Sequence, residues 1–263
     1  MNEFVVTHSK SVQYSSAAHS GRDYPVIAER GGRVVLSPML LSQRPTETQH
    51  LTVVSIDNSM SMYDTGAIVA LEQQLPKFIH DLNRDPSIRS SVLMTFACFG
   101  DQQAFAPLGP VRRVSDLTPP QLHPSPLGTP LCERLVADIA YIIAARKMLR
   151  NQLNVSQRKS CLIEFTDGEA TDKQHEEAAR QAVQRVAAES GIDVFLFGVG
   201  AGADMRFLHS IEQPERPAEL LTSEKNFADL FRWLSNSLRI VSQTNPGKST
   251  EILSVNGKRI RTQ

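Results

Sequence analysis

The sequence predicts an α/β fold, a doubly wound and mostly parallel six-stranded sheet with helices on both faces and one antiparallel edge strand. Three observations lead there. Short apolar runs alternate along the chain with longer stretches whose apolar residues recur at helical spacing, the signature of strands joined by crossover helices. The runs 51–56 and 160–166 are apolar on both faces, as strands covered from both sides must be. Both end abruptly in an aspartate, Asp57 and Asp167, and in such sheets ligands collect at the C-terminal strand ends.

The elements follow in order. Met1 to about His50 is the least readable part: 8–23 is rich in Ser and His, and 34–36 has strand character that Pro38 confines to an edge. This extension reads as a hairpin laid against the main domain, an arm for a partner, or a flexible lead. Leu51 to Ile56 is the first strand. Gly66 to Asn83 carries Ile68, Leu71, Leu75, Phe78, Ile79 and Leu82 at helical spacing, and Pro76 inside it predicts a kink or a restarted turn. Ser90 to Cys98 is the second strand, and Ala104 to Leu108 its antiparallel hairpin partner after a turn at Gly100 and Asp101. A Pro-rich loop spans Asp116 to Gly128. Thr129 opens a helix with Pro130 at its first position, where a missing N–H does no harm. Ser160 to Thr166 is a buried strand. Thr171 to Gln174 has the pattern of a capping box for a helix reaching Ser190, and Gly191 stops it. Ile192 to Val199 is the next strand, followed by a short helix near Asp204 to Ile211, a short strand at Glu219 to Thr222 and a last helix at Phe227 to Val241. Residues 243–263 form a polar, basic tail with a GKR turn, Gly257 to Arg259.

Composition narrows the function classes. The 263 residues suffice for one domain with extensions, and 28 basic residues balance 28 acidic ones. Zero net charge argues against a general nucleic-acid or membrane-surface binder. Three widely spaced cysteines without a CxxC fit buried thiols in a reducing compartment. No run reaches the length of a membrane span, and MNEFVVTHSK lacks the basic head and apolar body of a secretion signal. These features together predict a cytoplasmic protein.

The stretch LTVVSIDNSMS, Leu51 to Ser61, carries the chemistry. Asp57, Ser59 and Ser61 stand at alternate positions, so in an extended loop they face the same way. Thr129 and Asp167 belong to two further loops of the same sheet edge. Five oxygen donors without a nearby His or Cys suit a hard divalent cation, Mg²⁺ first, with Mn²⁺ or Ca²⁺ as alternatives. Each residue also has a plainer explanation: Asp57, Ser59 and Thr129 as helix caps, Asp167-Gly168 as a turn. Three independent caps, however, need not share one edge.

This set resembles the metal-ion-dependent adhesion site of von Willebrand factor A domains, and within them the bacterial tellurium-resistance-associated, TerY-type proteins. The matching stretches are DNSMSM at Asp57 to Met62, GTPL at Gly128 to Leu131, FTDGEATD at Phe165 to Asp172, FGVGAGAD at Phe197 to Asp204 and FADLFRWLSNSLRIVS at Phe227 to Ser242. The resemblance covers about 51–242 and leaves 1–50 as an extension and 243–263 as a tail. It implies a Rossmann-like sheet, metal ligands Asp57, Ser59, Ser61, Thr129 and Asp167, and a partner protein whose Asp or Glu completes the coordination sphere. It further implies a non-enzymatic interaction module of a bacterial stress or defence system, with a co-encoded phosphatase or kinase as partner. One position departs: the family usually has Gly where Met60 stands, so Met60 must take ordinary backbone angles or accept strain.

Two enzyme readings compete. Gly198, Gly200 and Ala203 fit GxGxxA after a strand, the pattern of a dinucleotide-binding turn, but before a short helix late in the chain. A phosphoryl-transfer enzyme with Asp57 as nucleophile would need a second Asp where Ser59 stands. Glu164, in the middle of an apolar strand, predicts an edge-pointing side chain or a Lys/Arg partner, since an unpaired buried carboxylate costs several kcal/mol. The seven histidines make no zinc spacing, and Trp233 reads as a core anchor.

Overall fold

The structure is a computed structural model, and it describes residues 34–42, 47–100, 106–126, 128–243, 250–253 and 259–262. The strands are β1 His50–Asp57, β2 Val92–Phe99, β3 Ala106–Pro107, β4 Arg112–Arg113, β5 Ser160–Thr166, β6 Ile192–Val199, β7 Glu219–Leu221, β8 Thr250–Leu253 and β9 Arg259–Thr262. The helices are α1 Pro38–Ser42, α2 Met60–Asp64, α3 Ala67–Asn83, α4 Pro86–Ser91, α5 Leu131–Leu153, α6 Glu176–Glu189, α7 Met205–Ile211 and α8 Glu224–Gln243.

The main sheet runs β3-β2-β1-β5-β6-β7, with β4 also on β2. Strands β2, β1, β5, β6 and β7 are parallel, while β3 and β4 both pair antiparallel with β2. The two short pieces share one edge position, which gives the expected six positions with one antiparallel edge. Alternation sorts the side chains into two layers. Leu51 and Val53 of β1 and Leu162 of β5 pack with α5, α6 and α7. Val54 and Ile56, with Ile163 and Phe165, pack with α3, α4 and α8. Phe165 stacks on Phe197 with ring centroids 5.6 Å apart and meets Phe231 at 6.0 Å, joining the sheet to α8.

Chain order reverses between β1 and β5. From β1 the chain crosses by α3 and α4 to β2 on one side; β5 lies on the other side and leads on to β6 and β7. The loops leaving β1 and β5 therefore diverge and leave a crevice at their C-terminal ends, the usual ligand position in an open α/β sheet.

Local details modify the sequence reading. Leu36 and Leu40 are buried in the core, Leu36 bridges Val111, and Gln49 pairs with Gln157, so part of the stretch read as an extension is built into the domain body. Pro38 opens α1. Helix α3 runs through Pro76 without a restart. Helix α4 was not expected; Asp85 caps it, accepting hydrogen bonds from the Ser87 and Ile88 amides, with Pro86 in the first turn. It takes over Ser90 and Ser91, so β2 begins at Val92. Helix α5 begins at Leu131, with Pro130 at the capping position. The capping box at Thr171 to Gln174 does not form: a 3-10 turn, Lys173–His175, precedes α6, and neither start has a side-chain cap. The tail contributes an antiparallel pair, β8 and β9. The GKR turn falls mostly outside the described residues, as does Ala104–Phe105 of the expected edge strand.

Candidate functional site

Asp57 ends β1, and β5 lies beside it in register, with Ile56 opposite Phe165. That register places Thr166 next to Asp57, and the Thr166 hydroxyl donates to Asp57 Oδ2 at 2.8 Å. Asp57 Oδ1 accepts the Ser59 amide at 2.9 Å. The loop is held on its outer side too: the Asn58 amide donates to the Phe99 carbonyl at 2.7 Å, and the Ser125 amide to the Asn58 carbonyl at 2.8 Å. Gly100 makes this closeness possible. At φ +126° it occupies a region that favours glycine, and a Cβ there would lie 2.7 Å from Asn58 Oδ1 and 2.9 Å from the Ser59 nitrogen.

Ser59 stands at the capping position of α2, but its hydroxyl makes no cap hydrogen bond. It lies 3.1 Å from Ser61 Oγ instead. The Ser61 hydroxyl in turn donates to Asp167 Oδ2 in a short contact. Asp167 Oδ1 accepts the Glu169 amide at 3.0 Å, and the Asp167 carbonyl accepts the Asp204 amide at 2.7 Å. Side chains of Asp57, Ser59, Ser61 and Asp167 are thus gathered on two neighbouring strand ends. Thr129 reaches the same loop through its main chain: its buried carbonyl accepts the Thr171 amide at 2.9 Å. Met60 lies within α2 with an ordinary helical backbone; the one non-glycine residue with positive φ among the described residues is Asn154. The Met60 side chain is exposed, as is that of Tyr63 one helical turn on.

Electrostatics marks Asp57 as the unusual group. It is fully buried, and its carboxyl is pushed up to about 7: burial is the main cause and the nearby Asp167 charge adds to it, against the hydrogen bonds from Ser59 and Thr166. Two carboxylates share this pocket with hydroxyls, and among the described residues no cationic side chain is bonded to them. A hydroxyl proton satisfies one oxygen of each carboxylate and a main-chain amide the other, and a hydroxyl can turn its lone pairs to a cation instead. The donor set therefore fits a hard divalent ion, for which Asp57, Ser59, Ser61 and Asp167, with Thr129 beside them, would be the holders. Among the described residues no group of three or more His, Cys, Asp or Glu forms another candidate.

Sequence reasoning missed three contributors. Thr166 bridges the two loops, since its oxygen also accepts the Gly168 amide at 3.0 Å; its place directly opposite Asp57 was readable only once strand register was known. Asp172, expected in a local capping box, caps α5 instead. Beneath the site lies a buried charged group. Arg134 Nε and Nη2 grip Asp138 at 2.8 and 2.7 Å inside α5, and Glu164 of β5 lies against them. Glu164 does not point to an edge: it is fully buried, and burial, with the Asp138 charge behind it, holds its carboxyl well above the usual range.

The GxGxxA stretch is a tight turn, with Gly200 at φ +89° and its amide bonded to the Leu221 carbonyl at 2.8 Å. The short α7 behind it is capped by Asp204, whose carboxylate accepts the Phe207 amide at 3.0 Å and the Lys173 ammonium at 2.9 Å. A carboxylate thus occupies the position a dinucleotide phosphate would need.

No family model matches the chain, and no curated protein does. Solved structures do. The pilus adhesin SpaC from Lactobacillus rhamnosus GG, open conformation, aligns with TM-score 0.56 and 13% identity over 74% of this chain and 30% of that one. A second form of SpaC gives 0.55 and 12% over 75% and 31%. This chain thus spans about 30% of the adhesin's length. A weaker match, the vWF domain of the type V pili tip protein Mfa5 from Porphyromonas gingivalis, has TM-score 0.49 at 12% identity over 77% and 99%, too low to carry an argument. At these identities the likeness speaks for the fold alone, and it agrees with the α/β sheet described above.

Proposed function

We propose that this protein is a non-enzymatic, divalent-metal-dependent interaction module, in which Asp57, Ser59, Ser61, Thr129 and Asp167 hold Mg²⁺ or a similar ion and a partner's Asp or Glu completes its coordination. The observation that carries the reading is the line of hydrogen bonds from Asp57 through the Ser59 amide and the Ser59 and Ser61 hydroxyls to Asp167, set in the crevice where chain order reverses. Mg²⁺ takes about six oxygens and keeps several waters, so a site rich in neutral hydroxyls leaves positions and net positive charge for an outside carboxylate. The exposed Met60 and Tyr63 give such a partner an apolar rim to rest on.

The finer reading follows the motif resemblance: a TerY-type module of a bacterial stress or defence system, cytoplasmic, with a co-encoded phosphatase or kinase as partner and no nucleic acid or membrane as target. No helix among the described residues is long and apolar enough to cross a membrane. The alternative of a nucleotide-binding or phosphoryl-transfer enzyme has little to support it, since Asp204 fills the phosphate position and Ser59 stands where a second Asp is required.

Calorimetry with Mg²⁺ and Mn²⁺ on the full chain tests the metal site. We expect saturable binding that Asp57→Ala and Asp167→Ala abolish while the chain stays folded; unchanged binding in both variants refutes the ligand assignment. Capture of a partner from the native host, with and without EDTA, tests the docking role, and turnover of nucleotide or phosphoester would overturn it.

A further inference from the structure

Asp172 lies outside the five proposed ligands, yet its carboxylate spans two of the loops that carry them. It leaves β5 five residues beyond Asp167 and does not cap the helix that follows it. It reaches instead to the first turn of α5, where Oδ1 accepts the Cys132 amide at 3.1 Å and Oδ2 the Glu133 amide at 2.7 Å. The residue before it makes the matching main-chain contact, the Thr171 amide to the Thr129 carbonyl at 2.9 Å. Pro130, at the capping position of α5, has no side-chain acceptor to satisfy those amides, and none is formed locally. The start of α5 is thus capped from forty residues away, by the loop that carries Asp167. Gly128 presses the two together: at φ +96° it packs so closely that a Cβ would lie 3.1 Å from Thr171 Cγ2.

We infer that Asp172 is a positioning residue for the metal site, fixing Thr129 against the Asp167 loop so that both oxygens face one ion. This rests on the metal reading above. Thr129 sits at the hinge of a chain that arrives from a Pro-rich loop and then enters α5. Three hydrogen bonds from the 171–172 segment define where that hinge lies. Without the carboxylate, two buried or half-buried amides lose their acceptor and α5 is free to shift its first turn, taking Thr129 with it.

The test measures Mg²⁺ affinity by calorimetry for the wild-type chain, Asp172→Ala and Leu149→Ala. Leu149 is buried at the far end of α5, so its truncation weakens the same helix without touching the clamp. Groups that orient metal ligands typically account for about 10- to 100-fold in affinity, and Asp172→Ala is expected to lose that much while Leu149→Ala stays within about 3-fold of wild type. If Asp172→Ala does not fold, Asp172→Asn, which retains one acceptor oxygen, carries the same comparison. Wild-type affinity in the Asp172 variant, or an equal loss in Leu149→Ala, overturns the inference. A wild-type chain that binds no metal overturns the metal reading itself, and this inference with it.

Discussion

Replacing Asp57 by Asn separates the stability of the fold from its proposed use. The Asp57 carboxyl stands at about 7 in the folded chain against an ordinary value of 3.8. A raised folded value means that the unfolded chain gives up this proton first. Stability is therefore fully present below pH 3.8, falls as pH rises, and levels off above about 7. The 3.2 units between the two values, at 1.36 kcal/mol each, amount to about 4 kcal/mol. Between pH 5 and pH 8 about 3 kcal/mol of that difference develops. The amide cannot ionise, so in EDTA the wild type should lose about 3 kcal/mol relative to Asp57→Asn over this interval. Urea denaturation at several pH values reads the difference directly. With Mg²⁺ at about 100 times its Kd the wild type should regain about 2.7 kcal/mol and the variant nothing. Parallel pH curves for the two proteins in EDTA would refute the assignment of a strained, metal-seeking carboxylate.

Further tests probe other parts of the molecule. His50, buried at the start of β1, is pushed down to about 4 by burial, with Arg158 and Arg146 adding to it. The folded chain then resists a proton that the unfolded chain accepts below 6.5, so this contribution is present above 6.5 and is lost as pH falls towards 4, by about 3 kcal/mol. His50→Leu should flatten that acid limb in denaturation curves, and an unchanged limb would show that His50 is not its source. Gly100→Ala drives a Cβ into Asn58 and Ser59, and it should weaken Mg²⁺ binding in calorimetry, whereas a chain that binds normally would mean the loop yields freely. Met60→Gly should leave metal affinity unchanged and cost at most about 1 kcal/mol in thermal unfolding, because Met60 already has helical angles.

The sequence revealed what depends on neighbours in the chain. Strands β5 and β6 fall on the stretches 160–166 and 192–199, because each apolar run is closed off sharply, by Lys159 and Asp167 or by Gly191 and Gly200. Helix α4 went unread, because the serines after Asp85-Pro86 blurred into the next strand. What escaped was non-local. Thr171 looked like a local cap, whereas its neighbour Asp172 is a remote one. Thr166 looked like the end of a strand and is the link between Asp57 and the second loop. Glu164 was expected to find a cationic partner or an edge; it is fully buried instead, and although the Arg134 charge acts on it, burial and the Asp138 charge hold its carboxyl well above the usual range. Loops known from their residues alone were enough to propose five oxygens, while the side-chain links joining four of them needed the register of β1 against β5.

The short outer strand β7 has a consequence for how anything can approach this molecule. It lies at the edge of the main sheet beside β6 and is three residues long, Glu219–Leu221. An incoming strand would find only a few backbone groups to pair with there, and short edges of this kind are how natural sheets avoid sticking to one another. Approach along that flank is discouraged, and the open end of the parallel strands becomes the more inviting face of the sheet.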